Sequence, residues 1–173
     1  ELFYSDGMHA TGVEAITERA GVARKSFYNN FASKGDLELA YIEARHQEWL
    51  GLHASRVRTA ESADDRVLAV FDAYIDHASD DYVNGFRGCG LLNAAAELPV
   101  GSPGRGAVRS HKVEVESILI SALSDRLPRE AAAVLAGHLA LLLEGAMALA
   151  GLAGSADRLV QARSIAASLL ATT

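Results

Sequence analysis

Residues 21–34 read GVARKSFYNNFASK. The aromatics Phe27, Tyr28 and Phe31 are interleaved there with Arg24, Lys25 and Lys34, and no carboxylate interrupts them. The chain as a whole is acidic, with a formal net charge of −6, so a segment this cationic is out of keeping with its surroundings. Gly21 can take the left-handed conformation that closes a helix, and Val22 can then plug the turn before a second helix starts near Ala23 or Arg24. Phe27 and Phe31 are one helical repeat apart and share a face, assigned here to a core, which turns Arg24, Lys25, Tyr28 and Asn29 outward.

Working outward, Thr11 followed by Glu14 has the spacing of a capping box. The spacing predicts a helix after Thr11 with Val13, Ile16 and Ala20 facing a small core. Two short helices joined by a tight turn make a helix-turn-helix. On the other side, Ser33 and Asp36 repeat the capping pattern and start a long helix through Leu37, Tyr41 and Ala44 to about residue 53.

The stretch ATGVEAITERAGVARKSFYNNFASKGDLELA resembles the DNA-binding domain of the TetR family of transcriptional regulators. The likeness rests on Thr11, Val13, Ile16, Ala20, Gly21, Val22, Tyr28, Phe31, Lys34 and Leu37 and covers about residues 2–44. It implies that ELFYSDG is the end of the family's first helix. Two positions depart from the pattern. Ala23 stands where serine or threonine usually caps the recognition helix, a loss of roughly 1 kcal/mol, and Asn30 stands where histidine or tyrosine is common. Early, outward side chains of such a helix reach base edges, which assigns that role to Arg24, Lys25 and Asn29 and leaves phosphate contacts to Thr11, Ser26, Tyr28 and Lys34. Residues 1–50 hold five basic and eight acidic side chains, yet residues 19–35 hold four basic and none acidic. Phosphate attraction acts over about 8–10 Å in physiological salt, so the local excess is what a duplex meets.

Beyond residue 45, apolar residues recur at helical spacing, as in Val67, Phe71, Tyr74, Ile75 and Ala78, and again in Val115, Ile118, Leu119, Ala122 and Leu123. No stretch alternates, so the fold class is all-α, with a helix-turn-helix domain over 1–45 and a helical effector-binding and dimerisation domain over 46–173. The main interruption is 79–106, rich in glycine and proline, enclosing a short helix around Leu91 to Leu98. Residues 131–154 form a run of 24 with only His138 and Glu144 as ionisable groups. Such a run is long enough to span a bilayer, but Glu144 near its middle would cost roughly 2.5–3.5 kcal/mol there, and the flanks show no cationic asymmetry. It reads as a helix buried on most of its circumference, with no membrane partner. Its small residues Gly137, Gly145, Ala148 and Gly151 allow close helix approach, and with the family resemblance they point to a homodimer through about 129–151 and 156–171.

The resemblance implies a small-molecule effector that releases a palindromic double-stranded operator, and a repressor's role. The residues offer Phe71, Tyr74, Phe86, Leu92, Asn93, Ile118 and Met147 as a mostly apolar wall, with His77, Asn93, His111 and Glu144 as scarce polar groups. Glu144 on an apolar face needs a partner, either an arginine within the dimer or the effector. The alternative reading is a non-regulatory helical protein or an enzyme using a pocket around Cys89. Nothing in the sequence orders Cys89 against His77 or His111, and the histidines lack metal-ligand spacing, so neither catalysis, a cofactor nor a metal is expected. The single cysteine excludes an internal disulfide and suits a reducing cytoplasm. The opening at Glu1, with no initiator methionine and no signal-like segment, reads as a processed form or the ordered part of a longer chain.

Overall fold

The computed structural model describes residues 1–79 and 82–173. Asp80 and Asp81, at the head of the interruption expected over 79–106, lie outside the described residues. Every regular element among the described residues is a helix: α1 (Leu2–Ser5), α2 (Val13–Ala20), α3 (Arg24–Asn30), α4 (Lys34–Val57), α5 (Ala63–Ala78), α6 (Gly90–Glu97), α7 (Pro103–Leu123), α8 (Arg129–Ala153) and α9 (Asp157–Ala171).

The headpiece is punctuated by local chemistry. Gly21 adopts φ +66°, and its N–H and that of Val22 donate back to the carbonyls of Glu18 and Thr17, closing α2 and turning the chain into α3. Ser33 and Asp36 form a reciprocal capping box at the start of α4. Ala23 occupies the N-cap of α3 and supplies no side-chain bond. Three expectations are corrected. Thr11 does not cap α2, because Gly12 takes the N-cap; Thr11 is buried, and its hydroxyl donates to the carbonyl of Gly7 at 2.6 Å. Thr17 rather than Ala20 takes the inward position, its hydroxyl satisfied by the carbonyls of Val13 and Glu14 at 3.0 Å. Ala20 instead borders an open apolar trough with Ile16, Leu37 and Ala40. Val22 plugs nothing, since it is 46% exposed.

In the body, α5 is the central strut, packed against α4, α7 and α9. Its Val67, Val70, Phe71 and Tyr74 are buried, and Ser62 and Asp65 cap its start. Helix α7 begins earlier than the glycine-rich sequence suggested, because Ser102 caps it and Pro103 sits in its first turn. Gly104 is thus helical, and a Cβ there would lie 2.6 Å from Leu98 Cδ1 and 3.1 Å from Ile42 Cδ1, so its absence lets α7 close on α6 and α4. Helix α8 is long and apolar enough to cross a membrane. It packs against α7 and α9 through one face, with Ala136, Leu139, Leu143 and Met147 buried. On the other face Val134, Leu141, Leu149 and Leu152 are exposed. Where α8 meets the loop before α6, the two backbones touch: a Cβ on Gly151 would lie 2.7 Å from Gly88 Cα.

The headpiece is tied to the body in two ways. Helix α4 runs unbroken across residue 45. The second tie is α6 and the loop before it. Tyr4 Oη accepts from the Arg87 N–H at 2.6 Å and donates to the Gly88 carbonyl at 3.1 Å. The Arg87 guanidinium donates to the Tyr4 carbonyl at 2.8 Å and also to that of Ser5. At the far end of α6, the Glu97 carboxylate accepts the N–H groups of Met8 and His9 at 3.0 and 2.7 Å. These bonds, led by that from His9, hold its pKa below the ordinary carboxylate value.

Candidate nucleic-acid interface and ligand cavity

Helix α3 is anchored by one buried aromatic, Phe27, whose ring meets those of Tyr28 at 5.1 Å and Phe31 at 5.7 Å. That anchor fixes the rotation of the helix, and Arg24, Lys25, Tyr28 and Asn29 are all exposed, with Ser26 half-buried. Arg24 pairs with Glu14 of α2 at 2.5 Å and lies 5.8 Å from the centre of the Tyr28 ring. The guanidinium is therefore held over the outer surface of the motif. Asn30, the second departure from the family pattern, turns back and donates to the Ser26 carbonyl at 2.8 Å. Lys34 Nζ donates to the Met8 carbonyl at 2.5 Å and stands 3.5 Å from Glu38, so its cation also fastens the turn after α1. The hydroxyl of Thr11 is committed inside the headpiece and has no donor to offer a phosphate.

The body divides the expected ligand residues. Tyr74, His77 and His111 meet Arg45, Trp49 and the start of α6 around a cavity of about 20 Å³. Ile118 lines a separate hollow of about 170 Å³ beside His53 and Arg66. Phe71 and Met147 are plain core, 0% and 1% exposed. Phe86 packs against Tyr82 at 5.8 Å, and Asn93 donates to the Arg87 carbonyl at 3.0 Å, so both shape the loop before α6 and line neither space. Glu144 finds its partner within the protomer: Lys112 Nζ lies 2.6 Å from its Oε1. The same ammonium is 3.3 Å from Tyr74 Oη and 3.7 Å from Cys89 Sγ. His111 bonds His46, Nδ1 to Nδ1, at 2.9 Å. Burial, followed by the charges of Lys112, His46 and His77, pushes His111 down to about 3, which keeps it neutral. No group of three potential metal ligands occurs among the described residues.

Arg45 and Trp49, which line this cavity, were absent from the candidate set, as was Lys112, which stands behind it against Tyr74 and Cys89. Arg45 and Trp49 carry a sequence signal, being one helical repeat apart on α4, the same relation that joined Phe27 to Phe31. Lys112 carries none, because what makes it central is α8 crossing α7.

A helix-turn-helix headpiece with an outward second helix, continuous with a helical body, defines the class of DNA-binding regulators. Residues 1–41 match the family model described as bacterial regulatory proteins, tetR family. The HTH-type transcriptional activator FasR of Mycolicibacterium smegmatis is 31% identical over 87 residues, a match that covers 50% of this chain and 39% of that protein. The crystal structure of a TetR-family transcriptional regulator from Streptomyces coelicolor superposes with a TM-score of 0.83 at 28% identity, over 96% of this chain and 88% of that one. A TetR regulator from Legionella pneumophila shares the fold, with a TM-score of 0.80 at 22% identity over 97% and 90% of the two chains. The chain thus resembles the TetR family of bacterial regulatory proteins in sequence over residues 1–41 and in fold over nearly its whole length.

Proposed function

We propose that the protein is a sequence-specific DNA-binding transcriptional regulator, working in the cytoplasm as a homodimer on a palindromic operator and released when a small molecule enters the body. The observation that carries this reading is the rotation of α3: with Phe27 buried, Lys25, Tyr28 and Asn29 are left on the solvent side. Arg24, Lys25 and Asn29 read base edges, while Ser26, Tyr28 and Lys34 hold phosphates. Dimerisation uses α8 and α9, whose exposed Leu141, Leu149, Val160 and Ile165 give a second copy an apolar surface to cover. Release follows from α4, one rigid rod whose first turn adjoins α3 and whose middle carries Arg45 and Trp49.

Selection of bound sequences from random duplexes tests the reading. A palindrome with two equal half-sites is the expected product, and recovery of no enriched sequence would sink it. Repression is the expected output, and the activator named among the relatives supplies the contrary one. Transcription from a promoter carrying the selected site, with and without the protein, separates the two.

A further inference from the structure

The buried side-chain polar atoms that lack a hydrogen-bond partner among the described residues fall into a pattern. They include Tyr41 Oη, Arg45 Nε, Trp49 Nε1 and His53 Nε2. All four belong to α4, at successive steps of four residues, so they form one stripe along a single helix. Leaving a buried polar group without a partner is unfavourable, and native proteins rarely carry such groups in a row. Arg45 and Trp49, the middle pair, line the cavity against Tyr74 and His77 of α5, the start of α6 and His111 of α7. Trp49 is 97% buried, being 3% exposed, and its indole N–H can only donate. Arg45 Nε can only donate as well. Its other nitrogens are already spent on Glu48, His77 and Tyr82. Among the described residues no carboxylate lines the cavity.

We propose that the effector is an organic acid whose carboxylate is received by Arg45 Nε and Trp49 Nε1 on the α4 wall of this cavity. The proposal rests on the reading of the protein as an effector-released regulator and adds the chemical class of the effector. A carboxylate offers two acceptor oxygens for two donors and a negative charge beside a guanidinium. An amine would meet donors and a cation in the same place. The cavity, at about 20 Å³, has room for a group the size of one water molecule. It can seat an acid's oxygen, but the rest of the molecule must push α4 away from α5, α6 and α7. That displacement is the switch, because α4 begins beside the recognition helix.

The test uses formate, acetate and benzoate, with benzyl alcohol and benzylamine as matched controls, at constant ionic strength up to millimolar concentration. Binding is read by calorimetry and thermal shift, and in the wild type by quenching of Trp49, the only tryptophan. Benzoate is expected to stabilise the protein, to bind about tenfold or more weakly to Arg45→Gln, and to lose affinity to a lesser degree in Trp49→Phe. Circular dichroism of both variants guards against misfolding, and Tyr41→Phe supplies a milder change on the same stripe. Equal binding of benzylamine or benzyl alcohol, benzoate binding untouched in both variants, or no binding by any of the three acids overturns the proposal. Operator retardation is run alongside. If a control compound releases DNA and the acids do not, the acid class falls and the regulator stands. If benzoate binds as described and DNA is not released, the acid site stands and effector release falls.

Discussion

Arg24 sits at the front of the reading helix with its charge already engaged. Its pairing with Glu14 is exposed on both sides, and such pairs are worth about 0.2–1 kcal/mol, so the arginine is held out over the surface at small cost. Glu14→Gln should free it and remove a carboxylate from the DNA side, raising operator affinity by up to about fivefold in a retardation assay at low salt. Lys25 and Lys34 fail differently. Lys25→Ala should relax preference at one base position, whereas Lys34→Ala should weaken all sequences alike and flatten the salt dependence. Unchanged affinity and salt slope in both variants would remove these assignments. His111 makes a pH prediction of definite sign. Its pKa is about 3 in the folded protein against an ordinary 6.5. Between those values the unfolded chain binds the proton and the folded one does not, so stability falls as pH drops from about 6.5 toward 3. Replacing His111 with Gln should flatten that part of a denaturation-versus-pH profile.

At the scale of elements, helix starts and stops decide what is legible in a sequence. The Gly21 turn, the Ser33–Asp36 box and the uncapped start at Ala23 are all readable because each is settled within a few residues. The last gives a test. Ala23→Ser should supply the missing cap and stabilise the domain by about 1 kcal/mol, seen as a raised melting temperature, while Ser33→Ala should cost about the same. Thr11 shows where local reading fails. The side chain that could accept an N–H of α2 is instead turned inward, donating to the Gly7 carbonyl, and Gly12 takes the N-cap, a choice that depends on how α1 lies against the motif. The cavity was less legible than the headpiece. Glu144 could be seen to need a partner, but Lys112 lies on another helix, and only the packing of α7 on α8 brings the two together. Phe71 and Met147 were drawn into the candidate wall by their composition, which cannot distinguish a core side chain from one that borders a space. Glu97 was missed altogether. A carboxylate at the end of a short helix reads as solvated until its two bonds to the headpiece are known. Glu97→Gln should therefore leave effector affinity nearly unchanged while weakening the response of operator binding to that effector, a separation that calorimetry and retardation together would measure.

For the whole molecule, the exposed apolar residues of α8 and α9 set the expectation. Leu141 is 75% and Leu152 87% exposed, values a monomer has little reason to keep on one helix face. Sedimentation at micromolar concentration should give about twice the 18.3 kDa of the chain, and Leu141→Glu should shift it to the single mass and abolish tight operator binding. A wild-type species that sediments as a single chain would exclude this interface. The meeting of Gly88 and Gly151 then acquires a meaning for the assembly. With no side chain between the two backbones, nothing cushions a movement of α8, and Arg87, the neighbour of Gly88, is the residue that grips the headpiece at Tyr4 and Ser5. In the proposed dimer each headpiece is thus gauged from the symmetry axis as well as from its own rod, so the calibre of the pair, the separation at which it can straddle two half-sites, is written partly into a glycine that never approaches DNA.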